Sequence, residues 1–230
     1  MPLTLPVREV LDATPRARIF RLDLNGQPFA YHAGQAVLVR VDGDVKRRAY
    51  SLAAAPADAE RHGWLELLVG IGGNSPAMDS IGAGETLEVD GPIGRFTFPP
   101  DAEARRLLFI AGGTGIAPLR AMLRQALSGP QRDIHFLYSA RTCEEFAYQE
   151  ELEALACAGR IRLVQTVTRE PRDAGWSGGR GRFGAKTLGP LVSDPSTLCF
   201  VCGPMSFVTD TKRILGDLGV ASDCIRIEEW

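Results

Sequence analysis

The sequence predicts two domains: an antiparallel β-barrel over residues 1–100, then an α/β domain built on a parallel sheet over residues 101–230. Three observations carry this. A chain of 230 residues is long for one simple domain and right for two of roughly 100–130 residues each. Short β-rich runs spaced by turn residues fill the first half, as in antiparallel barrels and sandwiches. After Pro99-Pro100 apolar strands alternate with helical segments, the pattern of a parallel sheet covered on both faces.

In the first half the strand runs are Thr4–Leu11, Ile19–Leu24, Ala36–Val41, Arg48–Ala53, Trp64–Ile71 and Thr86–Val89. Gly26, Gly34, Asp42-Gly43, Gly72-Gly73 and Gly82-Ala83-Gly84 separate them, and only Pro76–Ile81 reads as a helical turn or two. In the second half strand Leu107–Ala111 precedes a helix over Ile116–Leu127, where Ile116, Leu119, Leu123 and Leu127 share one face. Strand Ile134–Tyr138 leads into a helix over Glu144–Ala158, and Ile161–Val167 into a Gly/Arg-rich loop and a short helix near Ala185–Val192. Strand Leu198–Cys202 feeds the helix Phe207–Leu218, and Ile225–Ile227 closes the series.

Composition narrows the function. Apolar residues make up 45% and charged residues 23% of the chain, ordinary for a globular protein. A net charge of −2 gives no reason to expect nucleic acid or an anionic membrane as partner. No apolar run reaches the ~18 residues of a membrane span, and the N-terminus lacks a signal-peptide pattern, so a cytoplasmic protein is expected. Five cysteines, an odd number, suit thiols rather than a disulfide framework. Cys199 and Cys202 form a C-x-x-C inside an apolar strand, where alternation separates them across its faces or along it, so no metal site is expected. His32, His62 and His135 sit in no catalytic constellation and read as structural or surface residues.

Four motifs carry chemistry. Gly112-Gly113-Thr114-Gly115-Ile116-Ala117-Pro118 follows a strand and opens a helix. There, bare backbone N–H groups and the helix dipole suit an anion such as a dinucleotide diphosphate; the alternative is a plain strand–helix turn. In Arg48-Ala49-Tyr50-Ser51, strand alternation puts Arg48 and Tyr50 on one face and Ser51 on the other. A guanidinium fork suits a diphosphate and a ring suits a flat heterocycle, although such a strand can equally be surface and core. Gly72-Gly73-Asn74-Ser75 runs into a short helix, either a second anion nest or a barrel-closing loop. Cys202-Gly203-Pro204 lies at the carboxyl end of an apolar strand, where open α/β sheets bind ligands; a buried structural cysteine is the other reading.

With Gly34-Gln35 and Gly91-Pro92-x-Gly94-x-Phe96, the ordered set resembles the ferredoxin–NADP reductase superfamily over nearly the whole chain. The resemblance implies an FAD-binding barrel, with FMN less favoured, and an NAD(P)H-binding α/β domain that passes hydride from nicotinamide to flavin. It implies that Arg48 pairs with the FAD diphosphate, that Tyr50 packs on the isoalloxazine and that Ser51 hydrogen-bonds near N5. Backbone around Gly72, Gly73, Asn74 and Ser75 would complete the flavin diphosphate site. Gly113, Thr114 and Gly115 would cradle the nicotinamide dinucleotide, with Cys202 and Gly203 beside its ring. The ending Glu228-Glu229-Trp230 is similar to plant-type members, in which a terminal ring covers the flavin; Trp230 is thus a candidate gate and Glu228 its polar neighbour, the alternative being a frayed tail. Two departures, Ala36 after Gly34-Gln35 and Leu52-Ala53-Ala54 after Ser51, fall at positions that grip the flavin.

Arg141 after the second strand of the α/β half and Arg169 after the third match positions that NADP-specific relatives use for the 2′-phosphate, and Glu144 and Glu145 follow closely. NADPH is therefore expected, with NADH as the alternative. The chain has no grouped cysteines for an iron–sulfur centre, so electrons are expected to leave for a separate acceptor, a ferredoxin, a flavodoxin or an oxygenase component. A monomer is expected. A second possibility is a non-catalytic flavin- or nucleotide-binding sensor or subunit of a redox complex.

Overall fold

The computed structural model describes residues 2–72, 76–99, 102, 104–172 and 174–229. Its first sheet contains β1 (Leu3–Thr14), β2 (Ala17–Asp23), β3 (Ala36–Val41), β4 (Arg48–Ser51), β5 (Trp64–Gly70) and β6 (Thr86–Ile93). Their order is β4-β3-β6-β1-β2-β5, and every pairing is antiparallel. A bridge between Leu52 and Leu67 joins the end of β4 to β5 and closes the sheet into a barrel, which removes its two edges. Alternate residues of successive strands point inward, among them Leu5 and Val7, Phe20 and Leu22, Val37 and Val39, Leu65 and Leu67, Leu87 and Val89, and they form one core.

Besides α2 (Pro76–Asp79), the barrel carries a helix that the pattern of apolar residues does not announce, α1 (Pro56–His62). Its local signals are a proline in the first turn and Gly63 in the left-handed region, φ +75°, at the C-terminal end. Asp58 reinforces the start by accepting the Ala55 N–H at 3.3 Å. It has no apolar stripe, so periodicity misses it.

The second sheet contains β7 (Arg106–Gly112), β8 (Asp133–Ala140), β9 (Arg162–Val167), β10 (Gly179–Arg180), β11 (Leu198–Gly203) and β12 (Ile225–Glu229). All pairings are parallel, in the order β10-β9-β8-β7-β11-β12. The helices are α3 (Ile116–Ser128), α4 (Gln149–Cys157), α5 (Ala185–Leu188) and α6 (Met205–Asp217). Leu107, Phe109 and Ala111 face α3, whereas Leu108 and Ile110 face α6, so β7 is buried on both sides. Cys202 belongs to the first face and Cys199 to the second, the separation that strand alternation requires.

One element starts later than expected. The helix read over Glu144–Ala158 begins at Gln149, after a short 3-10 turn at Cys143–Glu145. Tyr138 and its neighbours cause the break. The Ala147 N–H donates to the Tyr138 hydroxyl at 3.2 Å, and Phe146 packs edge-on to the Tyr138 ring at 5.0 Å. Reaching both partners forces Tyr148 to φ +57°, incompatible with a continuous helix.

The barrel and the α/β domain share an apolar interface. Ala17, Ile19, Ala33, Ala53, Leu68, Phe96 and Phe98 join the cluster centred on Phe109 and Phe200. Gly34 shows how close the approach is: with φ +103°, a Cβ there would strike the Met122 side chain and the Phe96 carbonyl. The Gln35 amide donates to the Gly94 carbonyl at 3.2 Å. Two of the sequence motifs, Gly34-Gln35 and Gly94-x-Phe96, are therefore used here for packing and turn formation.

Candidate active site

From β7 the chain winds one way through β8, β9 and β10, then returns to lay β11 and β12 on the other side of β7. The carboxyl ends of β7 and β11 consequently border a topological switch point, the crevice in which open α/β sheets bind ligands. Gly112 ends β7, Gly113–Gly115 make one 3-10 turn, and α3 begins at Ile116. Gly113 takes φ +55°, with nothing within 4 Å of a Cβ built there. Gly115 is demanded by closeness instead: a Cβ would lie 2.6 Å from the Cys202 carbonyl carbon and 2.8 Å from the Gly203 nitrogen. The turn leaves room on one side and none on the other, and it opens a 13-residue helix whose N-terminal dipole favours an anion.

Residues from the two domains meet at this crevice. Ser51, at the end of β4, donates its hydroxyl to Glu228 Oε2 at 3.3 Å. Cys202 pairs with Glu228 across β11 and β12, and its thiol lies 4.0 Å from the same oxygen. Burial pushes the Glu228 carboxyl up to about 6, while the Ser51 hydrogen bond holds it down. Burial first, and the Glu228 charge second, raises the Cys202 thiol well above its ordinary value, so the sulfur stays protonated. Among the described residues, the site therefore offers a hydroxyl, a neutral thiol and one carboxyl titrating near neutrality, with no strong nucleophile.

On the barrel side, Arg48 and Tyr50 are half-buried on β4, opposite Val39 and Val37 of β3. Tyr50 packs against the barrel core, and Arg48 donates to Asp44 at 2.8 Å. Gly72 is exposed at φ +70°, its N–H donating to Asp79 Oδ2 at 3.2 Å. Gly73, Asn74 and Ser75 lie outside the described residues, as does Trp230. The cationic fork, the ring and the Ser51 hydroxyl on one short strand fit a flavin, and the bare turn before α3 fits a dinucleotide diphosphate.

Arg141 and Arg169 are both exposed, beyond β8 and β9, and the Arg169 N–H donates to the Arg141 carbonyl at 2.7 Å. The same edge holds a group that sequence spacing does not single out: Glu170 accepts the Cys143 N–H at 2.5 Å and its thiol at 3.4 Å. Also missed is a charged network between the domains. Glu66 of β5, 0% exposed, pairs with Arg21 at 2.8 Å and with Arg120 of α3 at 2.7 Å. Their sequence separation and lack of periodicity left no local signal.

The fold and site define a two-domain oxidoreductase that binds a flavin and a nicotinamide dinucleotide. The oxidoreductase FAD-binding domain family matches residues 4–98 and the oxidoreductase NAD-binding domain family matches residues 109–213. The chain is 36% identical over 217 residues to ferredoxin–NADP reductase B of Sorangium cellulosum, covering 90% of this chain and 88% of that one. It is 28% identical to an NADH-cytochrome b5 reductase 1 of Laccaria bicolor, over 93% of this chain and 72% of the relative. It spans only about a quarter of the nitrate reductase of Leptosphaeria maculans, which it also resembles at 28% identity. Among solved structures, an Amycolatopsis cytochrome P450 reductase superposes with TM-score 0.86 at 29% identity, covering 100% of this chain and 69% of that one. A ferredoxin NADP+ reductase from Neisseria gonorrhoeae with bound FAD and NADP has the same fold, with TM-score 0.82 at 23% identity, covering 99% and 98%. The chain belongs to the ferredoxin reductase-like superfamily; its cofactors are FAD and NAD(P)H.

Proposed function

We propose that the chain takes a hydride from NADPH at the crevice between its domains and delivers the electrons to a separate redox protein. The observation that carries this is the meeting of Ser51, Glu228 and Cys202, drawn from both domains, at the carboxyl ends of β11 and β12. In this reading Arg48 and Tyr50 hold the FAD, with the backbone of residues 72–75, and Ser51 addresses the flavin edge. Gly113, Thr114 and Gly115 hold the nicotinamide dinucleotide diphosphate, Cys202 and Gly203 border the nicotinamide, and Trp230 covers the flavin. The bound flavin supplies the two-electron chemistry. The protein's own work is to stack two rings within hydride distance and keep water out, for which a neutral thiol and a hydroxyl suffice.

NADPH is favoured because Arg141 and Arg169 share one exposed edge, where two guanidiniums can bracket a 2′-phosphate. The acceptor class is supported by the names of the relatives, a ferredoxin–NADP reductase and a cytochrome P450 reductase. A monomer divided near residue 100 and a cytoplasmic setting complete the proposal, the setting resting on five free thiols. The deciding experiment is anaerobic mixing of the yellow protein with NADPH and NADH, followed by a panel of ferredoxin, flavodoxin and oxygenase-component acceptors. Bleaching is expected, with kcat/KM higher for NADPH and a loss of about tenfold or more in Arg141→Ala. A preference for NADH refutes the NADPH assignment; protein that binds flavin but is bleached by neither nucleotide is a sensor or subunit and not a reductase.

A further inference from the structure

We propose that Arg120 is a positioning residue for hydride transfer, holding the Ser51–Ala53 segment of the barrel at a fixed distance from the turn that opens α3; this rests on the function proposed above. Its guanidinium is spent on four partners. Nη1 donates to the Ala53 carbonyl at 2.7 Å and to Glu66 Oε1 at 2.7 Å. Nε donates to Glu151 Oε2 at 2.5 Å, and the guanidinium lies over the Tyr148 ring, 4.1 Å from its centroid. The Tyr148 hydroxyl donates to the same Glu66 Oε1 at 3.2 Å, and the Arg120 side chain is only 11% exposed.

Ala53 is gripped from both ends, because its N–H donates to the Glu66 carbonyl at 2.8 Å. It stands two residues after Ser51, whose hydroxyl reaches Glu228. Arg120 stands five residues after Gly115, about 7.5 Å along the helix axis at 1.5 Å per residue. One side chain thus ties the main chain that presents Ser51 to the helix whose first turn borders the nicotinamide crevice. The apolar contacts around Ala53 and Ile116 supply adhesion, but dispersion and burial are non-directional and let surfaces slide. A planar, doubly donating guanidinium fixes the register. Other side-chain ion pairs across the interface reach elsewhere: Arg124 bonds Asp58 of α1 as well as Glu151 of its own domain, and Arg16 of the barrel bonds Glu145. The step concerned moves one hydride, two electrons with one proton nucleus, from the dihydronicotinamide C4 to the flavin; Arg120 exchanges neither proton nor electron in it.

The test compares the flavin-loaded wild type with Arg120→Gln, Arg120→Lys and Arg124→Lys. Flavin content, melting temperature and anaerobic stopped-flow bleaching are measured, the last with NADPH and with NADPH deuterated at the transferred position. A misplacement of about 1 Å can cost about a hundredfold. The limiting bleaching rate is therefore expected to fall about tenfold or more in Arg120→Gln and less in Arg120→Lys, with a larger deuterium effect in both. Flavin content and the half-saturating NADPH concentration should stay within about threefold of wild type. Arg124→Lys, which also removes an interface contact, should leave the limiting rate unchanged. A limiting rate within about twofold of wild type in either folded Arg120 variant overturns the proposal, as does a loss that only tracks lost flavin or is shared by Arg124→Lys. If Arg120→Gln does not fold, Arg120→Lys decides by the same criteria. A wild type that neither nucleotide bleaches fails at the proposed function itself and takes the Arg120 proposal with it.

Discussion

Glu228 is a carboxyl set where water is scarce, with the Ser51 hydroxyl to steady its charge. Burial outweighs that bond and lifts its titration from 4.5 to about 6. Because the folded state favours the protonated form, the stability linked to this group is full below pH 4.5 and is lost as pH rises through about 6. A carboxyl 13C NMR titration should show one glutamate with a midpoint near 6, absent in Glu228→Gln and displaced upward in Ser51→Ala. A midpoint in the ordinary glutamate range, or no upward move in Ser51→Ala, would contradict the geometry. The residue types were legible from the chain, Ser51 from its strand motif and Glu228 from its place near the terminus. Their hydrogen bond was not, since the two stand 177 positions apart.

At the level of elements, the turn between β7 and α3 was the most legible feature, because glycines between an apolar strand and an apolar-faced helix form a local signal. The two outer glycines of that turn nevertheless do different work. Gly115→Ala would drive a methyl into the main chain of Cys202 and Gly203, which cannot give way as a side chain would. A destabilisation of about 1–3 kcal/mol is expected from such overpacking, along with a raised KM for the nicotinamide substrate and unchanged flavin content. Gly113→Ala meets no neighbour and should cost only the left-handed backbone penalty of about 1–2 kcal/mol. Urea denaturation of the two variants checks this, and equal, negligible losses would refute it. The missed helix α1 and the late start of α4 escape the same signal. Proline, small residues and capping define the first, and the Tyr138 hydroxyl delays the second; neither leaves an apolar period.

For the whole molecule, two kinds of contact join the domains. Apolar contact across Ala53, Leu68, Phe96 and Phe200 supplies the area, and the chain Arg21–Glu66–Arg120–Glu151–Arg124–Asp58 supplies direction. Glu66 is the keystone, fully buried between two guanidiniums. Glu66→Ala should cost about 1–3 kcal/mol, the usual penalty for leaving buried donors unsatisfied, since Arg120 keeps Glu151 and Arg21 keeps Glu9. Double replacement of Glu66 and Arg120 by apolar residues of similar size should recover part of that loss. Urea unfolding measures both, and a loss under about 1 kcal/mol for Glu66→Ala would show that the network does not bind the domains.

The chain by itself determined the two sheets, nearly every strand, the glycine turn and the residue types of β4, because each is written in a local period or spacing of a few residues. Tertiary structure alone decided that Gly34 serves the contact with Met122, that Ser51 faces Glu228, and that Arg120 spans from α3 to the Ala53 carbonyl. These contacts depend on how one domain is rotated against the other. That rotation is set by the packing and the polar contacts of a whole interface together, for which no short stretch of sequence carries a signal.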